Sequence, residues 1–139
     1  MIFVDTWAWI ALLDDTDQYH KDAEKAHRKL QKKRRKYVTS DFVLNELINY
    51  LYNAGPATTA QATINSLLAR ADAGTHSLIY VTPQQFRRAW ELRQKYDDKP
   101  DISFVDFTSM VVMQELGITE VFTGDAHFSQ VNLGFQLVP

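Results

Sequence analysis

The chain contains no cysteine, and glycine and proline are scarce, with five and four among 139 residues. Without thiols there can be no disulfide framework and no thiolate zinc site, so any metal ligands must be oxygen or histidine. The sequence also lacks a long hydrophobic run and a basic leader: Asp5 interrupts the first apolar segment well before the roughly 20 residues of a membrane span. We therefore expect a protein of the reducing cytoplasm with no membrane association.

What the sequence does contain fits one compact domain, spanning residues 1–139, since 45% of its residues are hydrophobic. The net charge of −2 argues against a protein that coats nucleic acid. The basic residues are nevertheless concentrated between Lys21 and Lys36, ending in the run Lys32, Lys33, Arg34, Arg35, Lys36. Such a run is typical of a solvated helix face and its last turn, and it can also contact nucleic acid.

Apolar segments with strand and helix character alternate along the chain. Strands are predicted near residues 2–5, 37–39, 77–81, 120–123 and 135–138, and helices near 6–15, 20–35, 42–54, 58–73, 83–96 and 104–116. Thr82-Pro83-Gln84-Gln85 has the pattern of a helix start, and Ser103 can cap the last helix. Strands that alternate with helices predict an α/β fold with a mainly parallel sheet of about five short strands and helices on both faces.

Four acids lie where strands end or helices begin. Asp5 and Asp125 follow the apolar strands IFV and VFT, and Asp106 lies in the first turn of its helix. Glu46 lies on a helix in one row with Phe42 and Tyr50, beside an apolar stripe. Because ligands of α/β sheets bind at the carboxyl ends of the strands, all four acids are expected at one edge.

Each acid also has an ordinary structural explanation. Asp5 can cap the first helix with Thr6, Asp106 can close a capping box with Ser103, and Asp125 is a common type of turn residue. For Glu46 the alternative is an ion pair with a buried Arg or Lys. Taken together, four converging carboxylates suit Mg²⁺ or Mn²⁺, ions that support phosphodiester cleavage.

These segments resemble the PIN-domain ribonucleases, and among them the VapC-like toxins of toxin–antitoxin pairs. The likeness covers nearly the whole chain and lies in IFVDTWAW, DFVLNELINYL, SFVDFTSMVVMQELGI and EVFTGDAHFSQVNLGFQLV. It implies that Asp5, Glu46, Asp106 and Asp125 are the catalytic quartet, which binds Mg²⁺ or Mn²⁺ for RNA hydrolysis. It further implies supporting roles for four neighbours: Thr6, Ser103 and Thr123 as orienting residues, and Asp101 as an outer acid.

The resemblance also implies an RNA substrate, a small antitoxin whose C-terminal segment lies in the active-site groove, and a homodimer. The cations considered for RNA contact are Arg87, Arg88, Lys32, Lys33, Arg34 and Arg35. One departure from the family pattern is Trp7, where many members have Ser or Gly. Its indole can narrow the cleft or stack on a base, and packing within the helix explains it equally well. His127 is interpreted as a structural or rim residue rather than a catalytic one.

Two other functions fit the same residues. A solitary PIN domain for RNA processing would lack a short upstream reading frame that encodes an antitoxin. A metal-free binding module would use the acids as caps and ion pairs, and Mn²⁺ would then give little thermal stabilisation.

Overall fold

The computed structural model describes all of residues 1–139 and contains one sheet of five short strands. They are β1 (Ile2–Val4), β2 (Tyr37–Ser40), β3 (His76–Ile79), β4 (Glu120–Phe122) and β5 (Gln136–Val138). Their order is β3-β2-β1-β4-β5, and every neighbouring pair is parallel. The predicted α/β fold and parallel sheet are confirmed.

Six helices connect these strands: α1 (Thr6–Leu13), α2 (His20–Lys32), α3 (Asp41–Ala54), α4 (Ala57–Asp72), α5 (Pro83–Lys95) and α6 (Phe104–Leu116). The chain moves outward from β1 to β3 and then crosses back to β4. Because such crossovers are right-handed, this reversal places α5 and α6 on the face of the sheet opposite α1 to α4. No helix combines the length and the apolar composition that crossing a membrane requires.

The core lies around β1 and α6. All three residues of β1 are fully buried, and α6 is buried continuously from Asp106 to Met113. A helix that is apolar on nearly every side belongs in the interior, as the run FVDFTSMVVM predicts. Asp106, in the first turn of α6, is thereby buried at the edge of the core.

Two local predictions differ from the structure. α2 ends at Lys32 rather than near Arg35, because Arg34 adopts a left-handed conformation (φ 52°) and the Arg35 amide bonds back to the Leu30 carbonyl at 3.0 Å. The segment after Asp125, predicted as a turn, contains a short 3-10 helix, Ala126–Ser129, whose start is capped by the Asp125 side chain.

Candidate active site

The topology creates a crevice at the carboxyl ends of β1 and β4. These two strands are neighbours, yet the chain leaves them in opposite directions across the sheet. Loops diverge at such a switch point, which is where open α/β sheets bind ligands. Asp5 directly follows β1, and residues 123–125 follow β4, so both segments enter this crevice.

Thr123 ties the two segments together. Its hydroxyl donates to Asp5 Oδ2 at 2.9 Å and accepts from the Asp125 amide at 3.0 Å. Both Asp5 and Thr123 are almost completely buried. Asp5 occupies the N-cap position of α1, but its side chain makes no capping bond, so capping does not account for its carboxylate.

Glu46 approaches the crevice from α3. The Thr6 hydroxyl donates to Glu46 Oε1 at 2.7 Å, and none of the salt bridges in the protein involves Glu46. An ion pair with a buried Arg or Lys therefore does not explain this half-buried acid.

Asp106 makes the capping box that its spacing predicts, and it contacts a further residue. Its amide donates to Ser103 Oγ at 3.2 Å, and its Oδ2 accepts from the Ser103 amide at 3.4 Å. The His127 Nδ1 lies 3.0 Å from Asp106 Oδ2 and 3.1 Å from Asp125 Oδ2. His127, which the sequence indicates is a structural or rim residue, is positioned by the 3-10 helix after Asp125 so that its ring lies between two acids.

Burial and mutual repulsion disfavour charge on these acids. Burial, followed by the charge of Asp106, raises the pKa of Asp5 from 3.8 to about 7. The pKa values of Glu46 and Asp106 are also raised, in both cases chiefly by burial, against the hydrogen bonds from Thr6 and His127 respectively. The raised pKa means that an ionised Asp5 costs the fold roughly 4 kcal/mol of stability at neutral pH. Such a cost calls for a proton or a cation.

One pocket contains all four acids and no lysine or arginine. It is lined by Asp5, Thr6, Trp7, Glu46, Ser103, Asp106, Asp125 and His127. The ligand atoms of Asp106, Asp125 and His127 all lie within 4.8 Å of one another. Several carboxylates with one imidazole, and without lysine or arginine, form a donor set that fits a divalent ion of the Mg²⁺ or Mn²⁺ kind.

The remaining residues named from the sequence lie outside this pocket. Asp101 is exposed in the turn before α6 and does not line the pocket. Arg88 pairs with Glu115 at 2.9 Å, while Arg87 is exposed and lines a groove on α5.

The basic run lies at the opposite edge of the sheet, because it precedes the first residue of β2. Lys32, Lys33 and Arg34 are exposed there. Arg35 is held by Glu120 at 3.1 Å and by the Met1 carbonyl at 3.0 Å, so it fastens the starts of two strands.

Comparison with known proteins agrees with this architecture. The family model described as the PIN domain matches residues 2–133. The chain is 34% identical over 132 residues to the 23S rRNA-specific endonuclease VapC20 of Mycobacterium tuberculosis, covering 93% of this chain and 92% of that protein. The crystal structure of VapC20, described as a sarcin-ricin loop cleaving toxin, superposes with a TM-score of 0.84 at 30% identity, over the full length of both chains.

A more distant likeness concerns the fold alone. The DNA-bound VapBC structure from Salmonella typhimurium matches with a TM-score of 0.69 at 14% identity, covering 99% of this chain and 97% of that one. The family model and the VapC20 sequence each match more than nine-tenths of the chain. The protein therefore belongs to the PIN-domain family.

Proposed function

We propose that this protein is a metal-dependent endoribonuclease and the toxin of a toxin–antitoxin pair. The observation that carries the proposal is the gathering of Asp5, Glu46, Asp106 and Asp125 in one pocket without a lysine or arginine to neutralise them. Caps and ion pairs, which a metal-free binding module requires, account for neither Asp5 nor Glu46. Likeness to a named RNA endonuclease along almost the whole chain supports the same conclusion.

Asp5, Glu46 and Asp106 are the proposed ligands of the principal ion. Asp125 and His127, which have ligand atoms within 4.8 Å of one of Asp106, complete the donor set. When bound, Mg²⁺ or Mn²⁺ neutralises the carboxylates, lowers the pKa of a coordinated water and stabilises the leaving oxygen of a phosphodiester. The expected products carry 5′-phosphate and 3′-hydroxyl ends.

The residues around the acids keep the carboxylates in place before substrate arrives. Thr123 fixes Oδ2 of Asp5, Thr6 fixes Oε1 of Glu46, and Ser103 fixes Asp106 through the helix start. His127 spans Asp106 and Asp125 with one nitrogen. Ligands held in this way lose little freedom on binding an ion, which is why such supporting contacts matter to affinity.

The substrate proposed from the likeness to VapC20 is the sarcin-ricin loop of 23S rRNA, the target that the relative's description names. A small antitoxin that covers the acidic crevice and a homodimer of the toxin are proposed from the family resemblance.

Cleavage of purified RNA tests the proposed reaction. Wild type should cut a sarcin-ricin loop oligonucleotide in Mg²⁺ or Mn²⁺ and not in chelator, and Asp5→Asn or Asp106→Asn should abolish cleavage without unfolding the protein. Asp97→Asn, which changes an exposed acid outside the pocket, is the matched control and should cut normally. End mapping identifies the termini. Full activity in Asp5→Asn, or cutting in chelator, would overturn the proposal.

Growth after induced expression tests the toxin role separately. Wild type should arrest growth and Asp106→Asn should not. If wild type and Asp106→Asn arrest growth equally, toxicity does not come from cleavage.

A further inference from the structure

Trp7 is the one large apolar residue that lines the acidic pocket. It lies in the first turn of α1, directly after Asp5 and Thr6, and its side chain is only partly buried. An indole beside four carboxylates and an imidazole does not help to bind a metal ion. Its position calls for an explanation in terms of another ligand group or of packing.

The indole is held against the backbone of Gly124. A Cβ atom at that position would lie 2.3 Å from Trp7 Cζ2 and 2.5 Å from Cε2, too close for any side chain to fit. The backbone of Gly124 does not adopt a left-handed conformation, so its own geometry does not require glycine. Glycine is required here because the Trp7 ring approaches so closely. Gly124 lies between two residues of the site, Thr123 and Asp125.

Tyr19, which directly precedes α2, packs against the Trp7 ring. Its ring centroid is 5.2 Å from that of Trp7 with the planes inclined by 42°, and 43% of Tyr19 is exposed. The two aromatic rings thus form a fixed apolar surface that begins at the acids and ends in solvent. A residue needed only for packing would be covered, as Trp9 is, with 4% exposed.

We propose that Trp7 and Tyr19 form a platform on which a base next to the scissile phosphate stacks; this inference rests on the proposed nuclease function. A phosphodiester held at the acids carries a nucleobase on each side, and every base presents a flat face to an aromatic ring. In unpaired RNA loops, bases turned out of the stack are recognised in this way. The platform selects an unpaired nucleotide beside the cut without reading its hydrogen-bonding edge.

Single-turnover cleavage of RNA with one abasic nucleotide, moved stepwise across the cut site, tests the platform. In wild type, an abasic nucleotide at one position next to the cut should raise the protein concentration needed for half-maximal rate by roughly 10- to 100-fold. This is the range typical of base–aromatic stacking. Trp7→Ala should cause a similar loss on intact RNA and no further loss at that position. Trp7→Phe, which retains a ring, should restore most of the difference, while Trp90→Ala on α5 should behave as wild type.

Gly124→Ala provides a second, independent test. With Trp7 present, the added methyl group should displace the indole, so cleavage should no longer depend on the base at that position. In the Trp7→Ala background, Gly124→Ala should cause little further loss of cleavage. Equal abasic losses in wild type and Trp7→Ala, or unchanged behaviour of Gly124→Ala, would show that Trp7 is a packing residue. Absence of cleavage by wild type on every RNA would instead refute the nuclease function itself, so the two failures are distinguishable.

Discussion

At the scale of single residues, Asp5 shows most clearly that the site is built at a cost to stability. It is 4% exposed and close to other acids, and its pKa is raised to about 7 while that of an unfolded chain stays at 3.8. The folded protein therefore binds this proton more tightly than the unfolded chain does. Without metal, the stability that Asp5 contributes is fully present below about pH 4, is lost as pH rises from about 4 to about 7, and changes little above that.

Asp5→Asn is expected to stabilise the metal-free protein at pH 8. The substitution removes a buried charge that costs roughly 4 kcal/mol of folding stability. The melting temperature in chelator should therefore rise by up to about 10 °C. The difference should shrink as pH falls below 7, because wild-type Asp5 becomes neutral. Adding Mn²⁺ should reverse the order, since only wild type keeps the full ligand set. Thermal unfolding across pH, with and without chelator, measures this, and a less stable Asp5→Asn in chelator at pH 8 would contradict it.

At the scale of helices and strands, the sequence was most informative where a local signal marks a boundary. Ser103 and Asp106, and likewise Thr82 and Gln85, form the capping boxes that their spacing predicts. α2 ends earlier than its sequence predicts because Arg34, rather than a glycine, takes the left-handed position. No sequence pattern predicts that an arginine will adopt the left-handed conformation at the end of a helix.

The convergence of the four acids could be predicted because strand ends of a parallel sheet meet at one edge. The contacts of His127 and the fit of Trp7 against Gly124 could not, since they depend on the exact path of the segment after β4. The position of the basic run could have been predicted: it precedes β2 directly, which puts it at the amino edge, away from the acids.

The two capping boxes make a matched pair for separating stability from function. Ser103→Ala and Thr82→Ala each remove a hydroxyl that accepts a hydrogen bond from an amide of the first helical turn. Each substitution should lower the free energy of unfolding by about 1 kcal/mol. Ser103 also lines the pocket and positions Asp106, so its loss should lower cleavage roughly tenfold or more. Thr82→Ala should leave cleavage unchanged. Melting curves and cleavage rates measure both, and equal rates for the two variants would show that the Ser103 cap does not position Asp106.

At the scale of the whole molecule, the small net charge conceals a separation of charge. α2 begins beside Tyr19, near the acidic pocket, and the chain reaches the amino edge at Lys36, whose carbonyl accepts from the Ile2 amide. The helix is about 20 Å long. Exposed cations recur on it at helical spacing and form what we term the basic ridge: Lys21, Lys25, Arg28, Lys29 and Lys32. The ridge therefore leads from the rim of the site to the basic run.

If RNA follows the basic ridge away from the cut, a long RNA should contact both ends of the ridge and a short oligonucleotide only the end near the pocket. Variants at the two ends should therefore differ in how their effect on binding depends on RNA length. Replacing Lys32, Lys33 and Arg34 by Gln should reduce the salt slope of binding by about 2 for a long RNA, at about 0.7 per phosphate contact, and leave a short oligonucleotide unaffected. Replacing Lys21 and Lys25 by Gln should reduce the slope for both RNAs, because these residues lie nearer the pocket. Arg35 stays unchanged because Glu120 holds it, and Arg70→Gln on α4 controls for loss of charge. Slopes that do not change in either variant would exclude the ridge and leave the acidic pocket and its aromatic rim to bind RNA alone.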